Sequence, residues 1–331
     1  MGCTRDRRPD QLHPEALLDC APVPLYLTEQ DVEALLTPEE ALDPIEQCFG
    51  RLARGAIDNR PRVRQPVEEG MFAVMSAVDH ELGLAGLKSY VWVSAGTPFV
   101  VALFDTGRGE LAAVIEANRL GQLRTGAASG VAARHLAREG ARTLGVIGCG
   151  FQAETQVQCI RAAVPTIERV EAYCRTPERL SAFCERVGAE PAESHREAAA
   201  HDIVVTVTTS RDPVLRGEWL TPGALVCAVG ANDPRQRELD NVVLERAGFV
   251  CCDSREQARL ESGDLIEPVQ AGVLDWLEVH ELHEVVAGEL QGRQSDDDIV
   301  VFKSNGIAAW DVAIGATALE RARERGLGTT L

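Results

Sequence analysis

The stretch Thr143–Val164 reads TLGVIGCGFQAETQVQCIRAAV. A short apolar run, Leu144 to Ile147, is followed by Gly148, Gly150 and Ala153 in the spacing G-x-G-x-x-A. Beyond it, Ala153, Val157, Ile160 and Val164 recur at helical intervals. The pattern predicts a strand, a tight turn and a helix. The first glycine permits the sharp turn, the second lets backbone approach a pyrophosphate, and the small third residue lets the helix pack close to its strand. Phosphate would rest on the unpaired N–H groups at the positive end of the helix dipole. Glycine turns also serve plain structure in α/β proteins. Here strand and helix flank the turn in the required order, so Gly148, Cys149, Gly150, Phe151 and Gln152 are read as a dinucleotide cradle.

Downstream the chain alternates. Strands are expected at 170–174, 203–207, 224–229 and 249–252 with helical segments between, the pattern of a Rossmann-type doubly wound parallel sheet. Thr208, Thr209, Ser210, Val229 and Gly230, at or just after the ends of these strands, are assigned to cofactor binding together with Thr125. A further helix is expected over Leu277–Gly288. Lys303-Ser304-Asn305-Gly306 closes this region, and Ala308–Arg325 reads as a last helix stopped by Gly326.

Upstream the character differs. Thr28 and Thr37 read as helix caps, the second in Thr37-Pro38-Glu39-Glu40, with a helix continuing to Gly55. Short β-type runs then follow at 62–67, 71–78, 84–93, 99–104 and 111–116, which predicts a mostly antiparallel sheet. An alanine-rich helix over Leu120–Arg138 leads into the glycine turn. The expected architecture is therefore α/β: a tail at 1–22, a discontinuous α+β domain (23–125 plus 306–331), and an NAD(P)-binding Rossmann domain (126–305) inserted in it.

In NAD-binding units a carboxylate at the end of the second strand takes the ribose 2′-hydroxyl. Here that strand ends at Cys174 and Arg175, Thr176, Pro177, Glu178 and Arg179 follow. Guanidinium and hydroxyl groups suit a 2′-phosphate. Cys174, Arg175, Thr176 and Arg179 are accordingly assigned to the cofactor; NADP(H) is favoured and NAD(H) stays open.

With 331 residues, 45% of them hydrophobic, the chain can bury a large core. Its formal charge of −18 disfavours nucleic acid and anionic membrane surfaces as partners. No apolar run is long enough to span a bilayer. Ten scattered cysteines without a C-x-x-C pair, several inside expected elements, point to buried thiols in a reducing cytoplasm. His280 and His283 are expected on one helix surface without a third ligand, and no metal site is assigned.

Several stretches together resemble the ornithine cyclodeaminase/mu-crystallin family: GLKSYVW, LFDTGRGEL, QLRTGAASGVAARHLA, LGVIGCGFQA, VTVTTSRDPVLRGEWLTPGALVCAVGAN, DSREQARLESGDL and VFKSNGIAAWDVA. They run in the family's order from about Tyr26 onward. The resemblance implies that the discontinuous domain (23–125 plus 306–331) is the substrate-binding and dimerisation domain, with a homodimer joined through its sheets and a small carboxylate substrate held between the domains. It also implies that Arg62 and Arg124 clamp the substrate carboxylate and that Lys88 stands beside the reacting carbon. Met75 is added to the substrate contacts. Two arginines and a lysine suit an α-imino or α-amino acid, because the carboxylate anchor fixes the α-carbon and the lysine can polarise or protonate an imine.

One departure bears on the chemistry. Cyclising members of the family carry an acid in a Gly-x-Asp-x-Pro segment, whereas this chain reads Gly230-Ala231-Asn232-Asp233-Pro234. Asparagine can orient an amine but cannot act as a base, and Asp233 is displaced by one residue. Asn232 and Asp233 are retained beside Lys88 as catalytic candidates. Three functions compete: an NAD(P)H-dependent reductase of α-imino acids, an ornithine cyclodeaminase that recycles bound NAD+, and a binding protein of the crystallin type.

Overall fold

Alternating burial along the first long strands builds one sheet. In the computed structural model, which describes residues 23–93 and 96–331, Ala73, Met75, Ala77 and Asp79 face inward while their neighbours face out. The tail assigned to 1–22 lies outside the described residues. β1 (Leu25–Leu27) leads to α1 (Glu29–Leu35) and α2 (Leu42–Ala53). β2 (Ile57–Val67), β3 (Gly70–Asp79), β4 (Leu84–Val93), β5 (Phe99–Asp105) and β6 (Glu110–Glu116) then form an antiparallel meander. α3 (Asn118–Leu136) leaves this sheet for the second one.

The second sheet contains β7 (Thr143–Ile147), α4 (Ala153–Ala163), β8 (Arg169–Tyr173), α5 (Pro177–Val187), β9 (Glu190–Pro191), α6 (His195–Ala198) and β10 (Ile203–Thr206). It continues with β11 (Leu225–Ala228), α7 (Asn241–Glu245), β12 (Ala247–Cys252), α8 (Arg255–Glu261) and α9 (Gly263–Gln270). β13 (Val279–Glu281), α10 (Leu282–Val286) and β14 (Ile299–Lys303) complete it before α11 (Ala308–Arg325) and β15 (Thr329–Thr330) return to the first sheet. All its pairings are parallel, in the order β13-β12-β14-β11-β10-β7-β8-β9. β7 has β8 on one side and β10 on the other, so the strand order reverses there and a crevice opens at the carboxyl ends.

Both threonine caps are present, with one shift. Thr28 closes a capping box with Asp31. Thr37 Oγ1 accepts from the Glu40 N–H at 3.2 Å, but this box closes a separate turn and α2 begins only at Leu42. The helix expected over Leu277–Gly288 is replaced by β13 and the short α10. Pairing of β13 with β12 and stacking of His280 on Phe249, ring centroids 5.0 Å apart, outweigh the local helical pattern. β1, β14 and β15 are not among the expected strands. β14 is fully buried, and its continuous apolar run lacks the alternation by which a strand is recognised.

Small residues bring the two sheets together. A Cβ on Gly126 of α3 would stand 2.4 Å from the Thr155 carbonyl oxygen of α4, so backbone meets backbone there. α11 lies on the inner face of the first sheet and buries Trp310 fully against Phe49 of α2, ring centroids 5.6 Å apart. Such an edge-to-face pair contributes about 0.5–1.5 kcal/mol beyond its area. Gly326, with φ 65°, ends α11 in the left-handed cap expected of it.

Candidate active site

A cavity of about 1260 Å³ lies between the inner face of the first sheet and the carboxyl ends of β10, β11 and β14. On its nucleotide side the glycine turn takes the expected form. Gly148 has φ 113° and an added Cβ would lie 2.5 Å from the Val207 carbonyl, so only glycine fits. A Cβ on Gly150 would meet nothing within 4 Å. Among the described residues no side chain caps α4; its first residue, Ala153, gives its N–H to the Gly150 carbonyl at 3.2 Å, and the N–H groups that follow in the first turn have no side-chain partner. An open backbone cradle at an uncapped helix start is what a pyrophosphate needs, and these residues fit a dinucleotide.

Gly150, Phe151, Gln152 and Thr125 line the cavity, as do Thr208, Thr209, Val229 and Gly230. Gly148, Cys149 and Ser210 do not line it: Cys149 is buried, and the part-exposed Ser210 donates its Oγ hydrogen to the Asp212 carbonyl at 2.7 Å. Cys174, Arg175, Thr176 and Arg179 lie outside the cavity, at the end of β8 and the start of α5. The Cys174 thiol turns to the Thr176 carbonyl, 3.4 Å away, rather than toward a ligand. Thr176 makes no capping bond, so its hydroxyl is not committed to α5.

On the opposite wall, β3 and β4 place Met75 directly across from Lys88. Lys88 is 3% exposed; its Nζ stands 4.8 Å from the centre of the Phe99 ring and 3.3 Å from Asp311 Oδ1. Arg124 of α3 brings its Nε to 3.2 Å from the same oxygen. Burial pushes the Lys88 ammonium down to about 7; Arg124 and Arg62 act the same way, and Asp311 opposes them.

Arg62 reaches the cavity because the register of β2 shifts between Arg60 and Val63, where Pro61 has no N–H for the ladder. Its guanidinium is already engaged. It donates to both Glu261 oxygens, at 3.0 and 3.1 Å, and to the Asn305 carbonyl at 3.0 Å. Arg64 also pairs with Glu261 and donates to the Asn232 carbonyl.

Asn232 and Asp233 both line the cavity, on a loop held by buried carboxylates. Glu238, fully buried, accepts from the N–H groups of Thr208 (2.6 Å) and Gly230 (2.8 Å); Lys303 Nζ donates to the Ala231 carbonyl at 2.6 Å. Asp233 is corrected as a candidate base. It pairs with Arg235 at 2.9 Å, and that guanidinium holds its carboxyl down at about 2, leaving negligible proton affinity at neutral pH.

Asp311, Glu261, Arg64 and Glu238 belong to the site and are absent from the sequence-derived list. Asp311 and Glu261 lie inside segments that carry the family resemblance, Arg64 lies in the strand expected at 62–67, and Glu238 lies outside both; for Asp311 the available signal was a charged residue within an apolar helix, WDVA.

The ornithine cyclodeaminase/mu-crystallin family model matches residues 23–326. Alanine dehydrogenase of Archaeoglobus fulgidus is 37% identical over 93% of this chain and 98% of its own length. A Delta(1)-pyrroline-2-carboxylate reductase of Bacillus cereus is 37% identical over 79% of this chain and 84% of its own. The structure of the Thermococcus litoralis Delta(1)-pyrroline-2-carboxylate reductase, in complex with NADH and L-proline, superposes with a TM-score of 0.88. It is 32% identical, covering 93% of this chain and 100% of that one. This chain belongs to the ornithine cyclodeaminase/mu-crystallin family, among its pyridine-nucleotide-dependent oxidoreductases.

Proposed function

We propose that the protein reduces a 2-imino acid to the corresponding 2-amino acid at the expense of NAD(P)H. The imine is a cyclic ketimine such as pyrroline-2-carboxylate or forms from an oxo acid and an amine. The observation that carries this reading is the buried Lys88–Arg124 pair facing the glycine cradle across one cavity. The bound dihydronicotinamide supplies the hydride. Arg124 anchors the substrate carboxylate, and Arg62 supports it from the far side of the loop at 305–306. Lys88, poised near neutrality, gives its Nζ proton to the imine nitrogen and regains one from solvent between turnovers. Asn232 orients the nitrogen through its amide, and with Asp233 tied to Arg235 no carboxylate of that loop serves as base.

NADP(H) is the preferred cofactor on this reading. Arg175 and Arg179 flank the uncommitted Thr176 hydroxyl where the second strand of the nucleotide fold ends. A homodimer is supported by the outer face of the first sheet, which exposes Val63, Val91, Val100 and Phe104. A cytoplasmic setting suits the eight free cysteines among the described residues.

The test follows absorbance of NADPH and NADH with pyrroline-2-carboxylate, with pyruvate plus ammonia, and of NAD+ with ornithine. Stoichiometric oxidation of the reduced cofactor by an imine is the expected result. Proline and ammonia formed from ornithine without net cofactor change would replace the reductase reading by the cyclodeaminase one. Tight acid binding with no turnover would favour the binding protein.

A further inference from the structure

Lys88 and Lys303 are the only two lysines of the chain, and both are buried. Lys303 is committed to structure, with Asp264 at 3.0 Å and the Ala231 carbonyl at 2.6 Å. Among the described residues Lys88 has one carboxylate partner, Asp311, which arrives from the other end of the chain on α11.

Asp311 is 1% exposed and uses a single oxygen, Oδ1, for both Lys88 Nζ (3.3 Å) and Arg124 Nε (3.2 Å). Its Oδ2 has no hydrogen-bond partner among the described residues. The groups facing Lys88 are Arg124 from α3, Arg62 from β2, Asp311 from α11 and the Phe99 ring from β5; Cys48 of α2 lies behind Asp311. Two cations and burial therefore work against the Lys88 charge, and Asp311 alone works for it.

We infer that Asp311 is the positioning residue of the reaction: it holds the Lys88 ammonium and the Arg124 guanidinium in one register and keeps Lys88 protonated for transfer to the imine. It acts through those two cations and does not line the cavity itself. Its effect is exerted through Lys88, and the geometry gives a direction. Without the negative charge at 311, Lys88 would lose its proton at lower pH. At neutral pH the amine would then be neutral and could only accept. Arg124, released from Asp311, would still bind the carboxylate, so substrate affinity would survive while turnover fell.

The inference rests on the reductase reading only for its kinetic arm. The two lysines make a direct arm available. Lysine labelled with ¹³C at Cε gives two resonances, assigned by Lys88→Met, and the Lys88 titration is followed in the cofactor-free protein. Asp311→Asn is expected to move the Lys88 midpoint lower by about 1–3 pH units, the range for loss of an opposite charge at this distance. The Lys303 resonance should not move. The alkaline limb of kcat for imine reduction should shift by the same amount, with KM nearly unchanged. Asp311→Glu, which keeps the charge, should restore the midpoint and much of the turnover, and Asp311→Ser, which also removes the charge, takes the place of Asp311→Asn if that variant does not fold.

Unchanged Lys88 titration in Asp311→Asn overturns the inference, as does a Glu variant that titrates like the Asn variant. Should the wild type reduce no imine while the NMR midpoint still shifts, the proposed reaction fails and the role of Asp311 stands. Should imine reduction persist with the midpoint unmoved, the reverse holds.

Discussion

Glu261 of α8 holds Arg62 of β2 across the cleft, with Arg62 Nη1 3.0 Å from one carboxylate oxygen and 3.1 Å from the other. The pair ties the first sheet to the nucleotide sheet, 199 residues apart in sequence, and both side chains are buried. Removing one member of such a pair leaves a buried charge uncompensated, at about 3–5 kcal/mol. Glu261→Ala should therefore lower the denaturation midpoint clearly, with Arg64 losing its partner too. Thermal or urea unfolding measures this, and an unchanged midpoint would show that the bridge contributes nothing to stability.

Replacement of Lys88 should stop chemistry without emptying the site. Lys88→Met is expected to reduce imine turnover about 10²–10⁴-fold, the usual size of a general-acid contribution. Binding of the reduced cofactor, read by fluorescence, should stay within a few-fold of wild type because Lys88 lies on the opposite wall. Lys88→Arg should not rescue turnover, since a guanidinium stays charged and cannot cycle its proton.

The pH profile should follow Lys88. Its ammonium is held near 7 by burial, so the protonated form required for imine reduction is present below that pH and disappears above it. Reduction should decline on the alkaline side of about 7, and amine oxidation, which needs the neutral amine, should rise there. The sign for stability is separate: a buried lysine with a depressed midpoint penalises folding most where it must be charged, so this penalty relaxes as pH rises from about 7 toward its ordinary value. Initial rates measured in both directions from pH 5.5 to about 9 provide the check; parallel limbs would remove Lys88 as the proton donor.

Two glycines of the turn should respond differently to the same change. Gly150→Ala meets no protein atom within 4 Å, so the fold should survive while the added methyl occupies phosphate space and weakens dinucleotide binding by about tenfold or more. Gly148→Ala sets a Cβ 2.5 Å from the Val207 carbonyl at a φ that alanine resists, and should destabilise the protein itself. Cofactor titration beside thermal unfolding separates the two; equal loss of stability in both variants would contradict it.

Arg175→Ala combined with Arg179→Ala should weaken NADPH at least about tenfold more than NADH, since only the former offers a phosphate to the guanidinium groups. Parallel loss for both cofactors would remove the 2′-phosphate reading.

Much of this protein is legible from local pattern. The glycine spacing after an apolar run, the alternating strands of β3 to β6 and the caps at Thr28 and Gly326 each depend on contacts within a few residues, and they appear where the sequence places them. Lys88 and Arg124 stand out because a cation in an apolar or small-residue setting needs a reason to be there. What local pattern could not supply is the company these residues keep. β14 is an apolar run closed by Lys303 and recognised only once β11 and β12 are beside it, and β13 displaces a helical pattern because β12 offers a ladder. Asp311 lies 223 residues from Lys88, and Glu261 lies 199 from Arg62. Whether those carboxylates are solvated or buried against cations is decided by the return of α11 to the first sheet and by the cleft between the sheets. Secondary structure and the nucleotide turn are thus short-range properties of the chain; the charge state of the site is a long-range one, since burial and ion pairing exist only after the distant segments have packed.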